Sequence, residues 1–347
     1  MQEDQEGFLY PKVDTDLCIN CGLCERVCPV LIQSEIVTPL KVLAAYNNKE
    51  SVRKLSSSGG IFTMLAENII NDGGVVFGAR FDDNFNVIHD YSETIEGLAP
   101  FRGSKYMQSR MLVNYRKAKK NLEEGRKVLF SGTPCQIAGL NYYLKKQYDN
   151  LLCVDCVCHG VPSTMVWNSY LRESELMPSA VSFRDKKNGW KRYTVIISGK
   201  DGKRLSTPYT ENAYMSVFLS SLCLRPSCYD CPAKSGKSKA DITLGDFWGI
   251  DKISPDFDDD NGCSLILVNT EKGNTAIEKL TISKETHKYD EVVKYNPSIV
   301  SSSPRPRYRN LFMRTCHKFG FHKAHQLITS PTVSYKVIRR LMLFSCK

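Results

Sequence analysis

The chain has 347 residues, 42% of them apolar and 24% charged, the balance of a globular protein able to bury a core in one large or two to three small domains. Its formal net charge of +10 is concentrated at one end, because residues 304–347 hold ten Lys/Arg and no acid, which leaves a neutral body. No stretch approaches the ~18 apolar residues of a membrane span, and residues 1–6 are polar and acidic without a secretory pattern. The fourteen cysteines therefore read as cluster ligands or buried thiols of a cytoplasmic protein, not as a disulfide framework.

The first element is a cysteine run. Cys18, Cys21, Cys24 and Cys28, followed by Pro29, form C-x2-C-x2-C-x3-C-P, the ferredoxin spacing that wraps a [4Fe–4S] cluster. Gly22 lets the backbone pass close to the sulfurs. Structural zinc is the competing reading, but zinc sites pair their cysteines as two separated C-x2-C groups. Residues 8–40 are thus expected to be a 4Fe–4S segment. A short strand follows at 42–46. The stretch 56–60, Ser-Ser-Ser-Gly-Gly, precedes a helix over 61–70, with a serine as its cap and Gly73 as its stop. Strands are predicted at 75–81 and 87–91, a helix at 111–123, and a strand at 127–130 that feeds the turn 131–135 and then a helix through 146. A strand at 151–157 and a helix at 163–176 complete a βα-like half with a partly parallel sheet. The second half carries strands at 181–184, 193–198, 241–247 and 263–269, a helix at 212–224 and a polar loop at 225–240. Residues 301–306 read as a linker into the basic end, which is taken as a solvated helical tail, not a nucleic-acid surface, because no groove-reading motif is present.

A second cysteine group is dispersed. Cys228 and Cys231 form a C-x2-C-P pair in the polar loop, which suits a metal knuckle and needs two further ligands from elsewhere. Cys158 ends a predicted strand, and Cys135 sits between a strand and a helix N-terminus, where a thiol's pKa falls. Such ends meet on one edge of an α/β sheet. Cys153, Cys156, Cys223 and Cys263 are expected to be mostly core thiols. Two loops fit a phosphorylated, aromatic cofactor: 56–60, through the amides and dipole of a helix N-terminus, and 103–106, Gly-Ser-Lys-Tyr, through a cation, a hydroxyl and a ring. The run Ser235-Gly236-Lys237-Ser238 ends like a P-loop but lacks its first glycine.

In order along the chain, Ser56-Ser57-Ser58-Gly59-Gly60-Ile61-Phe62, Gly103-Ser104-Lys105-Tyr106, Ser131-Gly132-Thr133-Pro134-Cys135-Gln136, Cys158-His159-Gly160-Val161-Pro162-Ser163, Arg225-Pro226-Ser227-Cys228-Tyr229-Asp230-Cys231 and Asp241–Gly249 resemble the coenzyme F420 hydrogenase/dehydrogenase beta-subunit family. The resemblance implies an α+β protein: a small ferredoxin-like 4Fe–4S segment ahead of a mixed α/β core that binds flavin and a cluster. It divides the chain into 8–40, a core in two parts at 41–125 and 126–303, and the basic tail 304–347. It implies FAD beside a [4Fe–4S] cluster, with Cys158, Cys228 and Cys231 as ligands and Cys135 or Cys223 as the fourth. Gly59, Gly60, Ser104, Lys105, Gly132 and Thr133 would line the flavin pocket. The activity implied is an oxidoreductase that takes hydride from a small carrier, of deazaflavin type or similar, and delivers single electrons through clusters to a protein partner or redox subunit. The alternative is an electron-transfer subunit with a degenerate flavin site. Relatives with two ferredoxin runs carry the first upstream of a segment like 6–14, so this chain is expected to lack the run that exchanges ligands with Cys18–Cys28.

Overall fold

The computed structural model of the chain describes residues 1–332 together with Tyr335 and Arg339. Its main strands are β1 (Lys41–Asn47), β2 (Val75–Phe81), β3 (Val87–Ser92), β4 (Val128–Gly132), β5 (Leu151–Cys156), β6 (Pro178–Asp185), β7 (Thr194–Gly199), β8 (Arg204–Pro208), β9 (Ile242–Asp246), β10 (Ser264–Val268) and β11 (Ile282–Thr286). The helices that matter here are α1 (Ile61–Asn71), α2 (Asn114–Glu123), α3 (Pro134–Leu144), α4 (Thr164–Glu173), α5 (Ala213–Leu219), α6 (Arg309–Phe319) and α7 (Phe321–Thr329).

Among the described residues, one eight-stranded sheet runs β11-β1-β10-β9-β5-β4-β2-β3. Its centre, β2-β4-β5-β9, is parallel, and the remaining pairs are antiparallel. Parallel strands must be covered on both faces, and their sequences show it. Along β4, Leu129 joins Leu65, Ala66 and Ile266 in one layer, while Val128 and Phe130 face Ile137 and Leu140 of α3 in the other. A separate antiparallel sheet, β6-β7-β8, packs with α4 to α7 around Trp167, Phe183, Tyr214, Phe312 and Phe321, all essentially buried. The mixed α/β core expected from sequence is therefore present; β8 and β11 are strands that the periodicity did not announce, because their half-exposed, polar faces carry little apolar signal.

Two expectations change. The start of α1 is capped by no serine: Gly60 holds the N-cap position at φ +84°, a left-handed backbone that favours glycine, and the three serines bond elsewhere. The basic end is not a solvated tail as far as Thr329. Arg309 is 2% exposed, donates to both Glu6 carboxylate oxygens and to the Leu224 carbonyl, and Phe312 and Phe321 are buried against α4. Amphipathic helices with one apolar face bury that face whatever the net charge of the other. Cys346, Lys336, Arg340 and Lys347 lie outside the described residues. The front end is tied in as well: Phe8 is fully buried, the Gly7 carbonyl accepts from Thr164 Oγ1 at 2.6 Å, and a Cβ on Gly7 would meet the Met165 amide at 2.6 Å.

Candidate metal centre

The carboxyl ends of β4, β5 and β9 share one edge of the large sheet. β10 begins at that edge, with Asp246 opposite Ser264, and β1 ends there, with the Asn47 amide donating to the Gly59 carbonyl at 2.8 Å. Chain segments leaving these ends supply thiols. β4 turns through Thr133 into α3, which places Cys135 in the first helical turn; the Gln136 side chain accepts from the Thr133 amide at 3.0 Å and locks the turn. β5 ends at Cys156, and Cys158 follows two residues on, the same-face spacing of extended chain. Cys228 and Cys231 come from the loop around the short helix Pro226–Asp230, pinned where the Cys231 amide donates to Ser302 Oγ at 2.8 Å.

These five thiols are electrostatic neighbours. Desolvation among the crowded segments raises Cys135, Cys156, Cys158 and Cys228, Cys156 to about 12 and Cys228 to about 11, and each of these four is raised further by others of the group, with Cys231 acting on Cys135 and Cys228. Two cations oppose this. Arg225 lowers Cys135 and Cys228, and Lys234 lowers Cys156 and Cys158. Lys234 is 9% exposed and donates to the Cys158 and Ser298 carbonyls. One sulfur also receives a hydrogen bond, the Val161 amide donating to Cys228 Sγ at 3.4 Å, and Cys135 Sγ lies 3.2 Å from Thr133 Oγ1. Among the described residues no group of three or more His, Cys, Asp or Glu is drawn close enough to hold a single metal ion. A four-iron cube spaces its thiolates wider than one ion does, and thiols flanked by cations and N–H donors have the chemistry that a thiolate-bound cluster needs.

Of the two candidates for a fourth ligand, the structure brings Cys135 to this group. Cys223 is buried in the other core, where Cys316 is its neighbouring thiol. Cys156, read from sequence as a core thiol, instead keeps accessible surface and lines a recess with Asp155, Cys158, Lys234 and Val37; the C-x-C spacing 156–158 is the signal that could have found it. His159, beside Cys158, is committed structurally to the Phe218 carbonyl at 3.2 Å and to Ser221 and Ser303.

The cysteine run Cys18–Cys28 lies apart. Cys18, Cys21 and Cys24 are exposed, and a four-residue helix, Leu23–Arg26, starts at left-handed Gly22. The run is followed by chain that docks on the core close to the thiol group. Tyr142 donates to the Ile32 carbonyl at 2.7 Å, the Val37 amide donates to the Ser235 carbonyl at 3.0 Å, and Gly236 packs so tightly on Val37 that a Cβ would sit 2.6 Å from its carbonyl oxygen.

The residues expected around a flavin also gather at the carboxyl edge, but most of their polar groups are spent within the chain. The Gly59 amide donates to Ser264 Oγ at 2.9 Å, and a Cβ there would meet the Ala45 carbonyl oxygen at 2.4 Å. Ser104 and Ser57 are clasped hydroxyl to hydroxyl at 2.8 Å, and the Ser104 amide donates to the same Ser57 oxygen. Lys105 Nζ donates to the carbonyls of Phe101, Arg102 and Gly103, and burial lowers its pKa to about 7. Gly132 lies under the Gln136 side chain.

Two family models match the chain. One describes the C-terminal part of the beta subunit of coenzyme F420 hydrogenase/dehydrogenase and matches residues 125–292; the other describes a 4Fe-4S binding domain and matches residues 11–32. No protein of curated function matches. A chain of the F420-reducing [NiFe] hydrogenase complex from Methanosarcina barkeri has a similar fold, with a TM-score of 0.52 at 16% identity over 77% of this chain and 93% of that one. Among the described residues no helix is long and apolar enough to cross a membrane. The first match spans β4 to β11 and all five converging thiols, and the second spans the run Cys18–Cys28, so residues 125–292 are similar to the C-terminal part of the coenzyme F420 hydrogenase/dehydrogenase beta subunit and residues 11–32 to a 4Fe–4S binding domain.

Proposed function

We propose that this protein is an iron–sulfur flavoprotein oxidoreductase that exchanges electrons between a small hydride carrier and a redox partner protein. The observation that carries the reading is the convergence of Cys135, Cys156, Cys158, Cys228 and Cys231 at the carboxyl edge, next to the strand of chain that leads from the 4Fe–4S run. Cys135, Cys158, Cys228 and Cys231 would hold a core cluster, and Cys18, Cys21, Cys24 and Cys28 a second one at the surface. Bound FAD would supply the conversion of a hydride into single electrons. The chain's part is to place that chemistry beside the thiols, to offset cluster charge with Arg225 and Lys234, and to lead the path outward past Val37 and Pro39. The exposed run then faces a partner, as fits a subunit of a larger redox assembly.

Anaerobic purification with iron, sulfide and flavin quantified tests the proposal. About eight iron atoms and one FAD per chain are expected. Iron without flavin in the freshly purified protein supports the second reading, an electron-transfer subunit with a degenerate flavin site, which the internal bonding of Gly59, Ser104 and Lys105 favours. Zinc in place of iron would overturn both.

A further inference from the structure

Where the small sheet meets the carboxyl edge of the large one, a buried guanidinium is left incompletely bonded. Arg184 of β6 is 7% exposed. Its Nη1 lies 2.9 Å from Asp246 Oδ2, and the other Asp246 oxygen accepts from Trp190 Nε1 at 3.0 Å. Its Nε and Nη2 are buried and have no hydrogen-bond partner. Charged donors left unmade in a protein interior are costly, which makes such a group a marker for something that binds there. The guanidinium sits 4.0 Å from the Tyr193 ring centroid and 5.2 Å from that of Trp248, which stacks on Trp190 at 4.9 Å. Tyr106, next to Lys105, presents its phenol to the same guanidinium as a weak hydrogen-bonding neighbour.

The surrounding charge is mixed, but the nearest carboxylates are already paired with cations. Asp246 is matched by Arg184, and Asp259 by Arg53. Lys186, two residues beyond Arg184, is held by backbone carbonyls, those of Arg53 at 2.6 Å, Ser58 at 2.9 Å and Asn261 at 2.7 Å. Lys105 is held the same way, by three carbonyls of its own loop. Burial without a dedicated carboxylate lowers Lys186 to about 8 and Lys105 to about 7. Both lysines are joined to the Ser56–Gly60 turn, Lys186 through the Ser58 carbonyl and the Lys105 loop through the Ser57–Ser104 clasp.

We propose that Arg184, backed by Lys186 and Lys105, neither of which has a carboxylate within salt-bridge distance among the described residues, anchors a phosphate-type anion where β6 meets the carboxyl end of β9, with Tyr193 and Trp248 as the adjoining aromatic wall. The open guanidinium donors supply directional bonds, which the spent amides of Gly59 and Ser104 cannot. The anion's source is the diphosphate of the resident flavin or the phosphate of a second, dissociable carrier. The inference rests on the flavin reading for the ligand's identity, not for the site.

The test uses the full chain, purified anaerobically and depleted of flavin, with FAD, riboflavin and inorganic pyrophosphate as probes. Arg184→Met and Lys186→Met are made, and Arg184→Met/Asp246→Asn serves if the lone change strands Asp246 and unfolds the chain. The expected result is FAD affinity about tenfold or more lower in the Arg184 variant with riboflavin affinity unchanged, and pyrophosphate competing with FAD in the unaltered chain. Pyrophosphate that binds through Arg184 without displacing FAD assigns the site to a second carrier and also supports it. If both single variants bind FAD and pyrophosphate as the unaltered chain does, the anion site is overturned and the flavin reading stands. If the unaltered chain ignores FAD yet is stabilised by pyrophosphate in an Arg184-dependent way, the site stands and the flavin reading falls. Binding of neither probe overturns both.

Discussion

On the proposed function, the two cysteine groups of this protein would solve the same chemical problem in opposite ways. At the front, four ligands lie within eleven residues, on an exposed loop with one four-residue helix, and its apolar side chains Leu17, Ile19, Val30 and Leu31 are more than half exposed. In the core, the thiols come from three segments up to about a hundred residues apart, each fixed by the end of a strand or by a bonded loop. The first group has its ligand geometry written into local sequence but little protein to hold it. The second borrows a pre-formed sheet edge. A cluster should therefore organise the front segment, whereas the fold should organise any cluster that the core thiols hold.

The largest expected effect follows from that difference. Anaerobic removal of iron should expose residues 11–36 to limited proteolysis at least roughly tenfold faster than in the iron-loaded protein, with the core from β1 to α7 left intact. Equal resistance of both regions without iron would break the comparison.

Next come single ligands. Cys24→Ser and Cys228→Ser should each lower iron content by about four atoms. Circular dichroism and thermal melts should show the core unchanged in the first, and still folded but of slightly lower melting temperature in the second. If Cys228→Ser retains a full complement of iron, Cys156 has taken its place, and the assignment among the five thiols must be redrawn.

A third test separates the scaffold from its clusters. His89 lies beneath β4, with Nε2 3.0 Å from the Ser131 carbonyl oxygen and Nδ1 bonded to Ser109. Burial lowers its pKa to about 4, so the fold holds the neutral ring. Its contribution is complete above about pH 6.5, the unfolded value, and is lost as pH falls toward 4, for a total of about 3 kcal/mol. Urea melts of iron-loaded protein at pH 7 and pH 5 should show about 2 kcal/mol of this loss, and His89→Gln should remove most of the slope. A slope unchanged in that variant would place the acid sensitivity elsewhere.

The smallest effect is the sharpest discriminator for the fourth core ligand. Cys223→Ala should leave iron content and cluster spectra unaltered and cost about 1 kcal/mol from a small cavity beside Phe312 and Leu224. Loss of iron would contradict the placement of Cys223 in the aromatic core.

Much of the molecule was legible in its residues alone. The run Cys18–Cys28 is local, so spacing is enough to declare a cluster loop. The strands β2, β4 and β5 and helix α1 follow from continuous apolar runs and from glycine stops, because a strand buried on both faces and a helix with one apolar face have distinct periods. What only the tertiary structure decided concerns groups brought together across the chain. Spacing could not choose between Cys135 and Cys223, since the choice depends on which strand end each one follows; nor could it tell that Cys156 faces the recess, while Cys153 is shut beneath Asn141. It could not show that Arg309, in the most basic stretch, is paired inside with Glu6 about three hundred residues earlier, or that Arg184 is buried with only part of its guanidinium bonded. Pairing, burial and satisfaction are properties of neighbours in space, and in a sheet whose order is β11-β1-β10-β9-β5-β4-β2-β3 most neighbours in space are distant in sequence.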